Sequence, residues 1–381
     1  MNPDQLLRRL SSEGNLRSIP ADRMNSGMID FSSNDYLGLA TRNDLRQQFM
    51  QSETAVNALF TSSASRLLAA TQLYYDQIET TLSTLYQRHA LIFNSGYHAN
   101  SGLIPAITDK DTLIIADHLV HASIIDGIML SKCNWARFRH NDINHLERIL
   151  STRRPDGENT LVIIESIYSM DGDTAPIEDL IEFKKRHPLI TLYIDEAHAL
   201  GVCGNQGLGL AASSSCPEAW DVIIGTLGKA AASMGAFAIM SDRMRQVAVN
   251  RCRSLIFSTS LPPLNVAWST LMINTITLMD SERAHLYELS QHLADGLSRL
   301  TNRQHSPSHI QPLLIGDSHR AVELSHLLEN DGLKVLPIRT PTVPPGTERL
   351  RISLSASMSI NDIDLLLSSL HKNIQATPLK Q

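Results

Sequence analysis

Cysteine is scarce: Cys133, Cys203, Cys216 and Cys252 stand far apart in 381 residues, with no C-x-x-C pair. That spacing calls for neither a disulfide framework nor a zinc site, and the thiols read as reduced, as in a cytoplasm. The 15 histidines include no pair at ligand spacing beside carboxylates, so no metal is expected. No run approaches the roughly 18 apolar residues of a membrane helix, and the start, M-N-P-D-Q-L-L-R-R-L, lacks the apolar stretch of an export signal. A soluble, unexported protein is expected, with no membrane partner. Positive charge is short as well: 33 Lys and Arg against 39 Asp and Glu leave a net charge of -6, without the basic footprint of a nucleic-acid binder. D-E-A-H at 195–198 is also a helicase motif, but no G-x-x-x-x-G-K-[ST] loop precedes it. The one G-K, Gly228-Lys229, lies downstream and is followed by Ala230. The glycines Gly201, Gly204, Gly207 and Gly209 contain no G-x-G-x-x-G, which excludes a dinucleotide fingerprint and suggests a close-packed loop. Repeats and low-complexity tracts are missing too.

What is present reads as a globular enzyme. Hydrophobic residues are 43% and charged residues 19% of the chain, and its length calls for two unequal lobes. The expected division is an N-terminal segment, 1–40, joining the small domain, a large domain over 41–270, and a C-terminal small domain over 271–381. The apolar runs H-A-L-I-F (89–93), T-L-I-I-A (112–116), L-V-I-I-E (161–165), T-L-Y-I-D (191–195) and Val222–Ile224 alternate with helical patterns. Such alternation argues for an α/β fold with a mainly parallel sheet covered on both faces. Leu6, Leu7 and Leu10 mark a short amphipathic helix, and Tyr74, Ile78, Leu82 and Leu85 share a stripe on another. Beyond residue 263 the pattern predicts one long helical segment to about residue 300. Strands at 311–315, 333–338 and 349–354, a helix at 318–330 and a last helix capped by Ser359 with Asp362 follow.

The chemistry-bearing residues stand where the strands end. D-V-I-I-G-T-L-G-K-A-A-A-S-M-G-A, 221–236, delivers Thr226 and Lys229 on a small-residue turn. A lysine among Gly228 and alanines has few groups to pair with, and a desolvated amine deprotonates into a nucleophile for carbonyl carbon. An ordinary surface lysine fits that turn equally well. The strand before D-E-A-H presents Asp195 and His198 at its carboxyl end, where open parallel sheets bind ligands. Gly96, after H-A-L-I-F-N-S, opens a helix whose free amides suit a phosphate. His121 starts another helix, and Ser169 lies in a turn-rich loop. Together Asp195, His198, Thr226 and Lys229 form the four parts of a pyridoxal-phosphate site: ring-nitrogen partner, phenolate partner, phosphate ligand and Schiff-base amine.

The chain resembles the α-oxoamine synthases, fold-type I pyridoxal-phosphate enzymes of the aminotransferase class I/II fold, along nearly its whole length. The resemblance is carried by S-S-N-D-Y-L-G-L (32–39), S-G-Y-H-A-N (95–100), H-A-S (121–123), S-M-D-G-D (169–173) and D-E-A-H (195–198). It extends through T-L-G-K (226–229), S-T-S-L-P-P (258–263) and P-T-V-P-P-G-T-E-R-L-R (341–351). The last string favours members that condense L-alanine with a pimeloyl thioester, as CoA or carrier protein, in biotin synthesis. The resemblance implies a large mainly parallel-sheet domain with a smaller α+β domain built from both termini. It implies that Lys229 holds the cofactor and moves the α-proton, that Asp195 keeps the ring nitrogen protonated, and that His121 stacks on the ring. His198 and Ser169 would serve the phenolic edge. Phosphate would fall to Gly96, Tyr97 and Thr226, with Ser258 and Thr259 offered by a second subunit of a homodimer. Arg351 would hold the amino-acid carboxylate, Thr342, Asn34 and His121 would touch substrate, and Arg17 would meet the acyl chain.

Two departures stand out. Serines and alanines replace the family's glycine-rich segment near Arg66, and Ala232 stands where a glycine is expected. Each added Cβ narrows backbone approach, so the acyl route is where this chain differs. A member coupling glycine with acetyl-CoA, or using another acyl thioester, is the alternative. A non-catalytic partner subunit of the same fold is opposed by the retention of Lys229, Asp195 and His198 together.

Overall fold

The structure, a computed structural model, describes residues 2–17, 19, 27–70, 72–154 and 156–376. The chain divides into two compact units. The larger comprises Leu37–Ser169 and Thr174–Arg283; the smaller comprises Met1–Tyr36, Met170–Asp173 and Ala284–Gln381.

The larger unit is built on seven strands: β1 (His89–Phe93), β2 (Leu113–Asp117), β3 (Asn134–Phe138), β4 (Thr160–Glu165), β5 (Thr191–Asp195), β6 (Val222–Thr226) and β7 (Ala236–Met240). Their order is β1-β7-β6-β5-β4-β2-β3, and β7 alone runs against the others. Every residue of β2, β4, β6 and β7 is buried, as strands covered on both faces require. Leu91, Ile114, Ile163, Val222, Ile224 and Ala238 join one apolar core with Leu103 and Ile124 from helices α1 (Gly96–Ile107) and α2 (Ala122–Ser131). Burying each such side chain contributes about 1.5–3 kcal/mol. Gly225 is dictated by its neighbour: a Cβ there would lie 2.2 Å from the Phe237 ring on β7.

Parallel register then sets the site. Glu165 of β4 pairs with Asp195 of β5, and Asp195 with Ile224 of β6, so Glu165, Asp195 and Thr226 end their strands at one edge of the sheet. Strand β7, A-F-A-I-M, was not anticipated, because its apolar run follows directly on the lysine turn. The helical segment expected to run unbroken to 300 is two helices, Pro263–Ile276 and Asp280–Thr301. The break is held by side chains: Thr277 Oγ1 donates to the Asn274 carbonyl at 2.8 Å, and Arg283 Nη1 to that of Ile276 at 2.8 Å.

The smaller unit carries a three-stranded antiparallel sheet of β8 (Ile310–Leu314), β9 (Leu336–Ile338) and β10 (Arg349–Ser353), in the order β9-β10-β8. Ile29–Asp30 pairs in parallel with Leu333–Lys334, so the strand expected over 333–338 is two short ones serving different partners. Most of Asp280–Thr301 and the helices Pro3–Ser12, Ser318–Asn330 and Ile360–Ala376 also belong to the unit. The last begins as anticipated, with Ser359 N and Oγ donating to Asp362 Oδ2 at 2.7 and 2.8 Å. Among the described residues, no helix is long and apolar enough to cross a membrane and no side-chain cluster could hold a metal ion.

Candidate functional site

In the larger unit, the turn after β6 is folded by Leu227 N donating to Gly235 O at 2.9 Å, Ser233 N to Leu227 O at 2.9 Å and Ala232 N to Lys229 O at 2.8 Å. That geometry puts Ala232 at φ 43°, a left-handed conformation natural to the glycine it replaces. Lys229 is half-buried, and its Nζ lies 2.8 Å from Nε2 of buried His198. The sequence reading of a poorly partnered amine is thereby corrected: an imidazole meets it. A ring nitrogen at that distance can take or return a proton as the amine changes state.

Asp195, buried at the end of β5, accepts from Ala197 N at 2.9 Å through Oδ1 and from Asn100 Nδ2 at 2.7 Å through Oδ2. His121 caps α2, its Nδ1 accepting from Ser123 N at 3.2 Å, while its own N–H donates to Glu165 Oε1. Desolvation of the His121 ring lowers its pKa; the Asp195 carboxylate opposes this, and Lys229 pushes the same way as desolvation. Burial, followed by repulsion from Asp195, pushes the Glu165 carboxyl up to about 8, which favours its protonated form.

Gly96 opens α1, whose first turn is capped by Ser95 accepting from His98 N. A Cβ on Gly96 would lie 3.8 Å from Thr226 Oγ1, and one on Gly228 would lie 3.9 Å from the same oxygen. Gly96, at the positive end of α1, thus neighbours the Thr226 hydroxyl, a candidate cradle for an anionic phosphate. The Tyr97 hydroxyl itself donates to Asp126 Oδ2. Ser258 and Thr259 sit beside this cradle's entry strand: Asn94 Nδ2 donates to Ser258 Oγ at 3.1 Å and to Thr259 O at 2.6 Å. Ser169 lies half-buried beyond β4, near the start of the loop closed by the Ile167–Thr174 bridge. An amine, a buried carboxylate and an anion cradle around one strand edge fit the donor set that pyridoxal phosphate requires.

In the smaller unit, Arg351 is buried on β10, donating to Asn34 Oδ1 at 3.1 Å, Ser353 Oγ at 2.6 Å and Tyr36 Oη at 3.3 Å. Arg17 Nη2 donates to Thr342 Oγ1 at 2.9 Å. Four of the five substrate residues expected from sequence form two contacting groups, Arg351 with Asn34 and Arg17 with Thr342, and the fifth, His121, belongs to the larger unit. Sequence reasoning missed Asn100, Ser123 and Tyr193. Asn100 and Ser123 stand inside recognised strings, but nothing local marks them as partners of Asp195 and His121.

The model of the aminotransferase class I and II family matches residues 26–370. A Pasteurella multocida protein provisionally named 8-amino-7-oxononanoate synthase is 44% identical over 378 residues, 97% of this chain and 98% of that protein. A solved structure of SPT with the PLP internal aldimine matches with a TM-score of 0.84 at 28% identity, over 92% of this chain and 88% of that one. The 8-amino-7-oxononanoate synthase of Francisella tularensis matches at 0.78 and 24%, over 92% and 99%, a likeness of fold alone. The chain belongs to the aminotransferase class I and II family.

Proposed function

We propose that the protein is a cytoplasmic pyridoxal-phosphate enzyme that condenses L-alanine with a pimeloyl thioester, carried by CoA or a carrier protein. The products are 8-amino-7-oxononanoate, carbon dioxide and the free thiol, in biotin synthesis. The near full-length likeness at 44% identity supports the reaction. The observation that carries the chemistry is the Lys229 amine 2.8 Å from His198 Nε2, on the strand edge where Asp195 ends β5. When bound, pyridoxal phosphate supplies an electron sink for the pair left at the amino-acid α-carbon.

The chain's own groups do the rest. Lys229 is the nucleophile toward the aldehyde and the base that takes the α-proton at Nζ, with His198 able to hold the exchanged proton at Nε2. Asp195 would accept the ring N–H and keep it protonated. The Gly96 and Tyr97 amides with Thr226 would hold the phosphate, His121 would stack on the ring, and His198 and Ser169 would hold its phenolic edge. Arg351, aided by Asn34, grips the alanine carboxylate with its planar fork, and Thr342 and Arg17 meet the acyl substrate.

A homodimer is part of this reading. Leu59, Phe60, Leu68, Leu73 and Phe257 of the larger unit are 57 to 80% exposed, an apolar surface that a second copy would cover. Ser258 and Thr259 would then serve the partner's phosphate. Sedimentation at assay concentration checks it; a fully active monomer refutes it. The reaction itself is tested by pairing alanine, glycine and serine with pimeloyl, acetyl and palmitoyl thioesters, read by carbon dioxide release and product mass. Alanine with the pimeloyl thioester is expected to give the highest kcat/KM. A higher value for glycine with acetyl-CoA, or for serine with a long acyl chain, overturns the substrate assignment.

A further inference from the structure

One buried amide joins several of these groups. Asn100 lies on α1, 1% exposed. Its Nδ2 donates to Asp195 Oδ2 at 2.7 Å and to Ser123 Oγ at 3.0 Å, and its Oδ1 accepts from the Tyr193 hydroxyl at 2.7 Å. Elementary donor and acceptor chemistry fixes the direction of every bond. A carboxylate only accepts, so the amide nitrogen faces Asp195 and the amide oxygen faces the Tyr193 O–H. Ser123 Oγ takes the second N–H and keeps its own proton for His121 Nδ1, 2.8 Å away. The Ser123 backbone N–H reaches the same ring nitrogen at 3.2 Å, and a backbone amide can only donate. Nδ1 of His121 therefore carries no proton, and the ring is neutral with its N–H on Nε2. Close helix contact makes the relay possible: a Cβ on Gly127 of α2 would lie 2.6 Å from the Asn100 carbonyl oxygen.

We infer that Asn100 is a positioning residue for two partners at once. It holds Asp195 as an oriented anion for a protonated ring nitrogen, and through Ser123 it fixes His121 as the neutral Nε2–H tautomer. The first half rests on the pyridoxal-phosphate reading; the second is a property of the chain alone. The lowered basicity of His121 agrees with it.

The test is long-range 1H–15N spectroscopy of the histidine rings in labelled full-length protein, with and without pyridoxal phosphate, beside a fluorescence titration of cofactor affinity. His121 signals are assigned by their loss in His121→Gln. Wild type is expected to show the Nε2–H tautomer in both forms. Asn100→Ala is expected to mix the His121 tautomers and to weaken cofactor binding about ten- to a hundredfold, the value of one hydrogen bond to a charged group. Ser123→Ala leaves only the longer backbone donor on Nδ1 and should shift part of the His121 population away from the Nε2–H tautomer, while holding affinity within about threefold, because the Asn100–Asp195 bond survives. Tyr193→Phe, the mildest change, should move both readouts in the direction of Asn100→Ala. A folded Asn100→Ala with wild-type tautomer and affinity overturns the inference, as does a wild-type His121 protonated on Nδ1. If Asn100→Ala fails to fold, unchanged readouts in both Ser123→Ala and Tyr193→Phe overturn it instead. Wild type that shows the Nε2–H tautomer yet binds no pyridoxal phosphate strikes the functional reading and the Asp195 half, and leaves the tautomer standing.

Discussion

Glu165→Gln should flatten the dependence of stability on pH. Glu165 is 3% exposed at the end of β4, where burial and then the facing Asp195 carboxylate push its pKa up to about 8. In the unfolded chain the same side chain loses its proton near 4.3, roughly the free value. Between those two values the native state binds a proton that the unfolded state does not. Stability therefore falls as pH rises through that window, and levels off below about 4 and above about 8. Each pH unit inside the window is worth about 1.4 kcal/mol at most, so pH 5 to 7 should cost wild type roughly 2–3 kcal/mol through this group. Glutamine keeps the oxygen that accepts from His121 N and removes the titration, which makes it a cleaner probe than alanine. Glu196, pushed up to about 7 by burial, leaves a residual slope of the same sign in both proteins. The assay is urea unfolding of the cofactor-free protein at pH 5, 6, 7 and 8. Parallel stability profiles for variant and wild type refute a protonated Glu165.

Arg351→Ala is expected to weaken alanine binding about ten- to a hundredfold while leaving cofactor absorbance intact, and Arg351→Lys should not restore it, because an ammonium lacks the planar fork. Equilibrium titration of alanine against the holoenzyme checks both. Ala232→Gly relieves a side chain held at φ 43° and should stabilise by up to about 1 kcal/mol, the left-handed penalty less the entropy of glycine; chemical denaturation reads it. Lys229→Ala should abolish the absorbance of covalently held cofactor, and an unchanged spectrum would remove Lys229 from its role.

The strands that carry Asp195 and Thr226 were legible because parallel buried strands are short uninterrupted apolar runs that end where polar residues appear. The final helix was equally legible from its Ser359 and Asp362 cap. Three features were hidden for a common reason: their causes are distant in sequence. The helix break after Ile276 has no glycine or proline, and its freed carbonyl is taken by Arg283 from the following helix. Asn100 reads as an ordinary polar residue in α1, because Tyr193 and Asp195 lie 93 and 95 positions away. The pairing of Lys229 with His198, 31 positions upstream, was missed on the same account, although both residues had been singled out.

The segment near Arg66 is fixed by backbone pairing and by a buried charge network. Ser65 bridges to Thr259, and Ser260 donates to the Ala64 carbonyl through N at 3.0 Å and Oγ at 3.2 Å. Arg66 is buried against Glu79 at 2.7 Å, receives Gln72 Oε1 at 2.8 Å as an acceptor, and lies 3.9 Å above the Tyr75 ring. Glu79 in turn meets Arg245 at 3.0 Å and accepts from Ile92 N at 3.0 Å. Removing one member of such a network strands a buried charge, so the segment cannot relocate cheaply to suit a different acyl chain. Any effect of its serines and alanines on the proposed acyl route would then come from the volume of their side chains along a fixed path. That path is tied directly to Thr259, so the same residues that would tune the acyl route also brace the segment proposed to reach a partner's phosphate.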